Sequence, residues 1–145
     1  MPTGISNRPT LIDTGPIVAA LNKRDAYHQA CVDAFKSVGP FVYTCWPVIT
    51  EAAYLLGRYS PATNALFHSL RTRAYRILPL NVDDVEGIER ILSKYADQDF
   101  QLADAALMYL ADREGFDQVL TIDHTDFRVF RTKDGRPLTL LPNPD

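Results

Sequence analysis

The chain has little cysteine, little histidine and no long apolar run, and each shortage narrows its function. Cys31 and Cys45 are the only cysteines in 145 residues. They lie far from CxxC spacing, and two thiols do not complete a four-ligand structural zinc site, so they read as small buried hydrophobes. His28, His68 and His124 are the only histidines. Each reads as a solvated or packing side chain, with His124, beside Asp123, the one placed to touch a substrate. The uncharged run Val38 to Thr50 contains Pro40, Thr44 and Pro47, and is neither long nor uniform enough to span a bilayer. Met1 to Thr10 lacks the charged-then-apolar layout of a signal peptide. A cytoplasmic protein without membrane contact is therefore expected.

Positive charge is also in short supply. The formal net charge of -3 argues against nonspecific, charge-driven binding of nucleic acid. The basic residues nevertheless cluster, as Arg71, Arg73 and Arg76 and again as Arg128, Arg131, Lys133 and Arg136. Such clusters contact phosphate locally in a chain that is acidic overall, or they are simply solvated surface.

What is present fits one globular domain over residues 1–145, since a chain of this length closes a single hydrophobic core. The apolar fraction of 46% and charged fraction of 23% are ordinary for such a domain. Residues 9 to 13 read as a short buried strand. Thr14-Gly15-Pro16 follows, with Pro16 at a first helical position and Gly15 as its cap. Ala26 to Val38 carries apolar residues at helical spacing and ends at Gly39-Pro40. Phe41 to Thr44 is a second strand, Pro47 opens a helix to about Gly57, and Pro61 opens another to about Tyr75. Arg76 to Leu80 is a third strand, Asp83 to Tyr95 an amphipathic helix, and Phe100 to Glu114 the most apolar helix, closed by Gly115. Gln118 to Ile122 is the fourth strand, and Leu138 to Leu141 is β-like. Strands alternating with helices predict an α/β fold, three layers α/β/α around a central parallel sheet of about four to five strands.

Four carboxylates interrupt or end the apolar stretches: Asp13, Glu51, Asp104 and Asp123. An ionised carboxylate beside a core is costly unless it is paired, hydrogen-bonded or coordinated, and few basic partners are in view. In open parallel sheets ligand sites gather beyond the carboxyl ends of strands, where Asp13 and Asp123 fall. Each acid also has a structural reading. Asp13 and Asp123 read as caps of the helices that follow, less so Asp13 because Pro16 makes Gly15 the cap, Asp104 sits in a first turn where the dipole favours negative charge, and Glu51 lies at the edge of an apolar stripe. Asp97, Asp99 and Asp126 are second-rank candidates.

At this point the residues resemble the PIN-domain nucleases, and within them the VapC-type toxins of toxin–antitoxin pairs. The pieces are Leu11-Ile12-Asp13-Thr14-Gly15-Pro16, Pro47 to Leu56 around Glu51, Leu102-Ala103-Asp104-Ala105, and Thr121-Ile122-Asp123 followed by Asp126-Phe127. The resemblance covers nearly the whole chain. It implies a pocket in which Asp13, Glu51, Asp104 and Asp123 hold Mg²⁺ or Mn²⁺, with Thr121 next to the last acid and Thr14 supporting the first. It further implies an RNA substrate, a cognate antitoxin and a homodimer.

Clustered carboxylates select hard cations, and hydrated Mg²⁺ suits phosphate chemistry. The expected activity is metal-dependent hydrolysis of RNA phosphodiesters by in-line displacement. Lys23, Arg24, Arg58 and Arg71 are candidate phosphate contacts. An aspartyl phosphatase would want a second aspartate two residues after Asp13, where Gly15 stands. A non-catalytic module holding a structural ion, or binding RNA without cleaving it, is the other alternative.

Overall fold

The computed structural model describes residues 7–58 and 60–142. The leader expectation for Met1 to Thr10 therefore falls largely outside the described residues. Five strands, β1 (Thr10–Ile12), β2 (Val42–Thr44), β3 (Arg76–Ile77), β4 (Gln118–Leu120) and β5 (Thr139–Leu141), form one parallel sheet in the order β3-β2-β1-β4-β5. Among the described residues seven α-helices surround it: α1 (Thr14–Leu21), α2 (His28–Val38), α3 (Trp46–Leu56), α4 (Pro61–Arg71), α5 (Val85–Lys94), α6 (Leu102–Glu114) and α7 (His124–Val129). A single 3₁₀ turn, Val82–Asp84, precedes α5.

The central strands β1 and β4 are brief, fully buried runs bounded by polar or turn residues. Thr10, Leu11 and Ile12 are all buried, as are Gln118, Val119 and Leu120. Parallel strands covered on both faces lose the polar alternation of an exposed sheet. The core gathers Leu11, Ile12, Val119 and Leu120 from the sheet with Ile17, Ile49, Leu66, Leu107, Leu110 and Phe127 from the helices. Helix α6 is apolar nearly all round, and seven of its residues from Ala103 to Ala111 are buried.

Chain order in the sheet places the site. From β1 the chain builds outward through β2 to β3, then crosses back to lay β4 on the other side of β1. The two directions part between β1 and β4, and a crevice opens at the carboxyl ends of strands that part in this way. Ile12 pairs with Leu120, so the next residues out, Asp13 and Thr121, face each other across that crevice.

Several boundaries differ from the sequence reading. Helix α1 begins at Thr14, with Asp13 rather than Gly15 in the N-cap position and no side-chain cap bond. Pro16 is thus the third helical residue, which costs nothing because the first four helical N–H groups lack intrahelical partners. The third strand is only Arg76–Ile77, although the Leu78 N–H still donates to the Thr44 carbonyl at 2.9 Å. Helix α6 starts at Leu102, leaving Asp97-Gln98-Asp99 outside it as a turn. Cys31 and Cys45 are free and buried, as expected.

Candidate active site

The crevice between β1 and β4 is the floor of a cavity of about 720 Å³. Asp13 ends β1, Glu51 projects from α3, Asp104 from the first turn of α6, and Asp123 from the start of α7; all four line this one cavity. Asp25, Asp99 and Asp126 line it too, giving seven carboxylates among the described residues, while no described lysine, arginine or histidine does. Asp97 is not part of the wall, and neither are Lys23, Arg24, Arg58 or Arg71.

Each of the four principal acids is held by its own scaffold contact. The buried Thr121 hydroxyl donates to Asp13 Oδ2 at 2.9 Å, and Thr121 Oγ1 in turn accepts the Asp123 backbone N–H at 3.0 Å. The Thr14 hydroxyl lies 3.3 Å from Glu51 Oε2 and 3.5 Å from the Val48 carbonyl. Asp104 Oδ2 accepts the Gln101 N–H at 2.9 Å, which forms half of a capping box at the start of α6. Asp123 Oδ1 accepts the Asp126 N–H at 3.3 Å and so caps α7. The structural readings of Asp104 and Asp123 are therefore correct, and they coexist with a place in the cavity wall.

Burial and neighbouring negative charge act on the titration of Asp13, Asp104 and Asp126. Asp13 is pushed up to about 7, first by desolvation and then by the charges of Asp104 and Glu51, against the hydrogen bonds from the Thr14 backbone and Thr121. Asp104 is raised by burial and by the charges of Asp123 and Glu51. Asp126 is raised to about 6 by burial, by its hydrogen bond with Asp123 and by neighbouring acids. These carboxylates feel one another across the cavity, the condition under which like charges resist joint ionisation.

A hard divalent cation fits this donor set. It is all oxygen, deficient in positive charge and open to solvent at one side, which suits an ion that keeps several waters. Among the described residues no three His, Cys, Asp or Glu side chains already stand close enough to form a ligand cluster. Mutual repulsion among the acids opposes such a gathering before a cation arrives.

Two contributors were not read from sequence. Asp25 lies in the polar loop after α1, where its side chain accepts the Tyr27 N–H at 2.8 Å. That turn-forming role is all its sequence context signals. Gln101 caps α6 and lines the cavity, but an exposed glutamine before a helix carries no chemical signal. His124 has a packing role: its Nε2 lies 2.9 Å from the Thr121 carbonyl.

A parallel sheet with this strand order and an acidic crevice at its carboxyl edge defines the class. The PIN domain model matches residues 10–133, and the chain belongs to the PIN-domain family. Among characterised proteins it is similar to Ribonuclease VapC26 of Mycobacterium tuberculosis (strain ATCC 25618 / H37Rv), 28% identical over 134 residues that cover 91% of this chain and 99% of that protein. The crystal structure of Mycobacterium tuberculosis VapC20, described as a Sarcin-Ricin loop cleaving toxin, matches with a TM-score of 0.73 at 21% identity, covering 79% of this chain and 90% of that one. At that identity the likeness is one of fold.

Proposed function

We propose that this protein is a metal-dependent endoribonuclease, the toxin of a type II toxin–antitoxin pair, using Mg²⁺ or Mn²⁺. The observation that carries the reading is the convergence of Asp13, Glu51, Asp104 and Asp123 on one cavity in a PIN-family chain. The similarity to a ribonuclease along nearly its whole length supports RNA as substrate.

Asp13 and Asp104 are assigned to direct ligation of the cation, with Glu51 and Asp123 completing the set directly or through water. Thr121 orients Asp13 and fixes the backbone of Asp123. Thr14 orients Glu51, and the Asp126 backbone N–H holds Asp123 Oδ1. When bound, the cation supplies charge to the scissile phosphate and acidifies a water. The chain's own residues hold the acids apart, keep Asp13 out of bulk solvent and leave the cavity open for a strand to enter.

A cognate antitoxin and a second copy of the chain are the proposed partners, in the cytoplasm. Exposed Trp46, Tyr54 and Leu102 line one open groove beside Glu51, an apolar surface of the kind that supports protein contact. No described helix is long and apolar enough to cross a membrane.

Cleavage of labelled RNA with Mn²⁺ and with EDTA tests the activity. Metal-dependent cleavage that Asp104→Asn abolishes, with that variant still folded by circular dichroism, is the expected result. Failure to cleave any RNA under either condition refutes the assignment.

A further inference from the structure

The acidic cavity creates an electrostatic problem, because a polyanionic strand must approach seven carboxylates with no cationic side chain in the wall. Compensating charge stands elsewhere. A separate cleft of about 380 Å³ between α5, α6 and the segment after α7 is lined by Arg90, Lys94, Arg113, Arg131 and Lys133, with Asp112 the only acid among the described residues that line it. The two cavities share no residue.

Part of that charge is already neutralised. Arg90 pairs with Glu86 at 3.1 Å, and Arg113 with Asp84 at 3.3 Å and Glu114 at 2.8 Å. Lys94, Arg131 and Lys133 have no ion pair among the described residues. Arg131 is nevertheless fixed, since its Nη1 donates to the carbonyls of Arg128 and Phe130 at 2.7 and 2.8 Å. Those bonds hold the guanidinium without cancelling its charge. The Lys133 backbone is pinned by its N–H to Asp112 Oδ1 at 3.0 Å, and Lys94 Nζ stands 5.4 Å from the centre of the Tyr95 ring.

Two elements connect this cleft with the acids. Helix α6 starts at the cavity with Asp104 and reaches the cleft with Tyr109, Asp112 and Arg113. Helix α7 starts from Asp123 and delivers Phe130, Arg131 and Lys133. At 1.5 Å per residue, Asp104 and Arg113 are about 13 Å apart along the axis of α6.

We infer that this cleft is an RNA-backbone subsite that holds phosphates of the substrate strand several nucleotides from the scissile bond. The inference rests on the ribonuclease reading and adds to it where the rest of the strand lies. Fixed cations contact phosphate without reading sequence, so the subsite contributes affinity and register rather than base choice.

The test compares the wild type with the Lys94→Gln/Lys133→Gln double variant on two labelled RNAs that share a cleavage site. An RNA of about two nucleotides carries no internucleotide phosphate beyond the scissile one and cannot fill the cleft as well, whereas one of about fifteen can do both. The double variant is expected to raise KM for the longer RNA about tenfold, leave its kcat and all parameters of the shorter RNA unchanged, and lower the salt slope of long-strand binding by about two. Lys94→Arg/Lys133→Arg is expected to retain wild-type KM. An unchanged KM for the longer RNA, or an equal loss on both substrates, overturns the subsite. If the wild type cleaves neither RNA, the ribonuclease reading fails by itself. Salt-dependent binding of the longer strand, compared between wild type and double variant, then still decides whether the cleft holds RNA.

Discussion

Thr121 and Asp13, 108 positions apart in the chain, share a buried 2.9 Å hydrogen bond across the junction of β4 and β1. The Thr121 side chain is fully enclosed, and its oxygen also fixes the Asp123 N–H. Thr121→Val keeps the shape and removes both bonds. Partners that orient metal-ligating groups typically matter about 10- to 100-fold, so turnover is expected to fall by that factor with the fold intact. Loss of the donor also raises Asp13 further, and the acid limb of the pH–rate profile moves to higher pH. A variant with wild-type turnover and an unmoved acid limb contradicts the positioning role.

Asp13 also sets a pH dependence of stability in the metal-free protein. The folded chain keeps its proton up to about pH 7, whereas an ordinary aspartate releases it near 3.8. Between those values the folded state binds more protons than the unfolded one, so stability falls as pH rises. Asp104 and Asp126, both raised, act in the same direction. Asp84 is lowered and acts oppositely, but only below the ordinary aspartate range. In EDTA the urea midpoint is expected to be higher near pH 5 than near pH 8. Asp13→Asn removes much of that difference and stabilises the protein near pH 8 by on the order of 2–4 kcal/mol, at about 1.4 kcal/mol per unit of displacement. A less stable Asp13→Asn protein at that pH would mean that the charged form is paid for in the fold.

Metal addition reverses the balance. Mn²⁺ binding only the folded state stabilises it by about 2.7 kcal/mol at a hundredfold excess over Kd, seen as a rise in Tm that EDTA cancels. Protons on Asp13 compete with the ion, so the rise is expected to be larger near pH 8 than near pH 6. Differential scanning fluorimetry at the two pH values measures it. An equal rise at both would show that Asp13 takes no part in binding.

Gly87 makes a purely structural prediction. A Cβ there would stand 2.2 Å from Cε1 of Tyr109. The ring cannot swing aside freely, because its hydroxyl bonds to the buried Asp84. Gly87→Ala gains about 1 kcal/mol in helix propensity but overpacks this contact at a typical cost of about 1–3 kcal/mol. Net destabilisation without loss of turnover on a short RNA is expected from urea melts and single-turnover assays.

The sequence made the fold legible where periodicity and punctuation agreed. The runs ending at Ile12, Thr44 and Leu120 and the helices opened by Pro47 and Pro61 stand within two residues of their expected starts or ends. Boundaries slipped where local signals were ambiguous. Pro16 fits the third helical position as well as the first, and Phe100 is buried in the core although it precedes α6. The four principal acids were visible as charges out of place in apolar runs. Asp25 was invisible because a turn aspartate in a polar loop has nothing anomalous about it, and only the folded chain sets it in the cavity wall.

Asp13, Glu51, Asp104 and Asp123 each commit at least one carboxylate oxygen to the scaffold. An oxygen that accepts one hydrogen bond still holds a second lone pair, so these contacts aim the four groups without exhausting their capacity to bind a cation. The bonds that shape the fold thus choose the rotamers of the acids in advance, and a cation that arrived would meet donors already aimed.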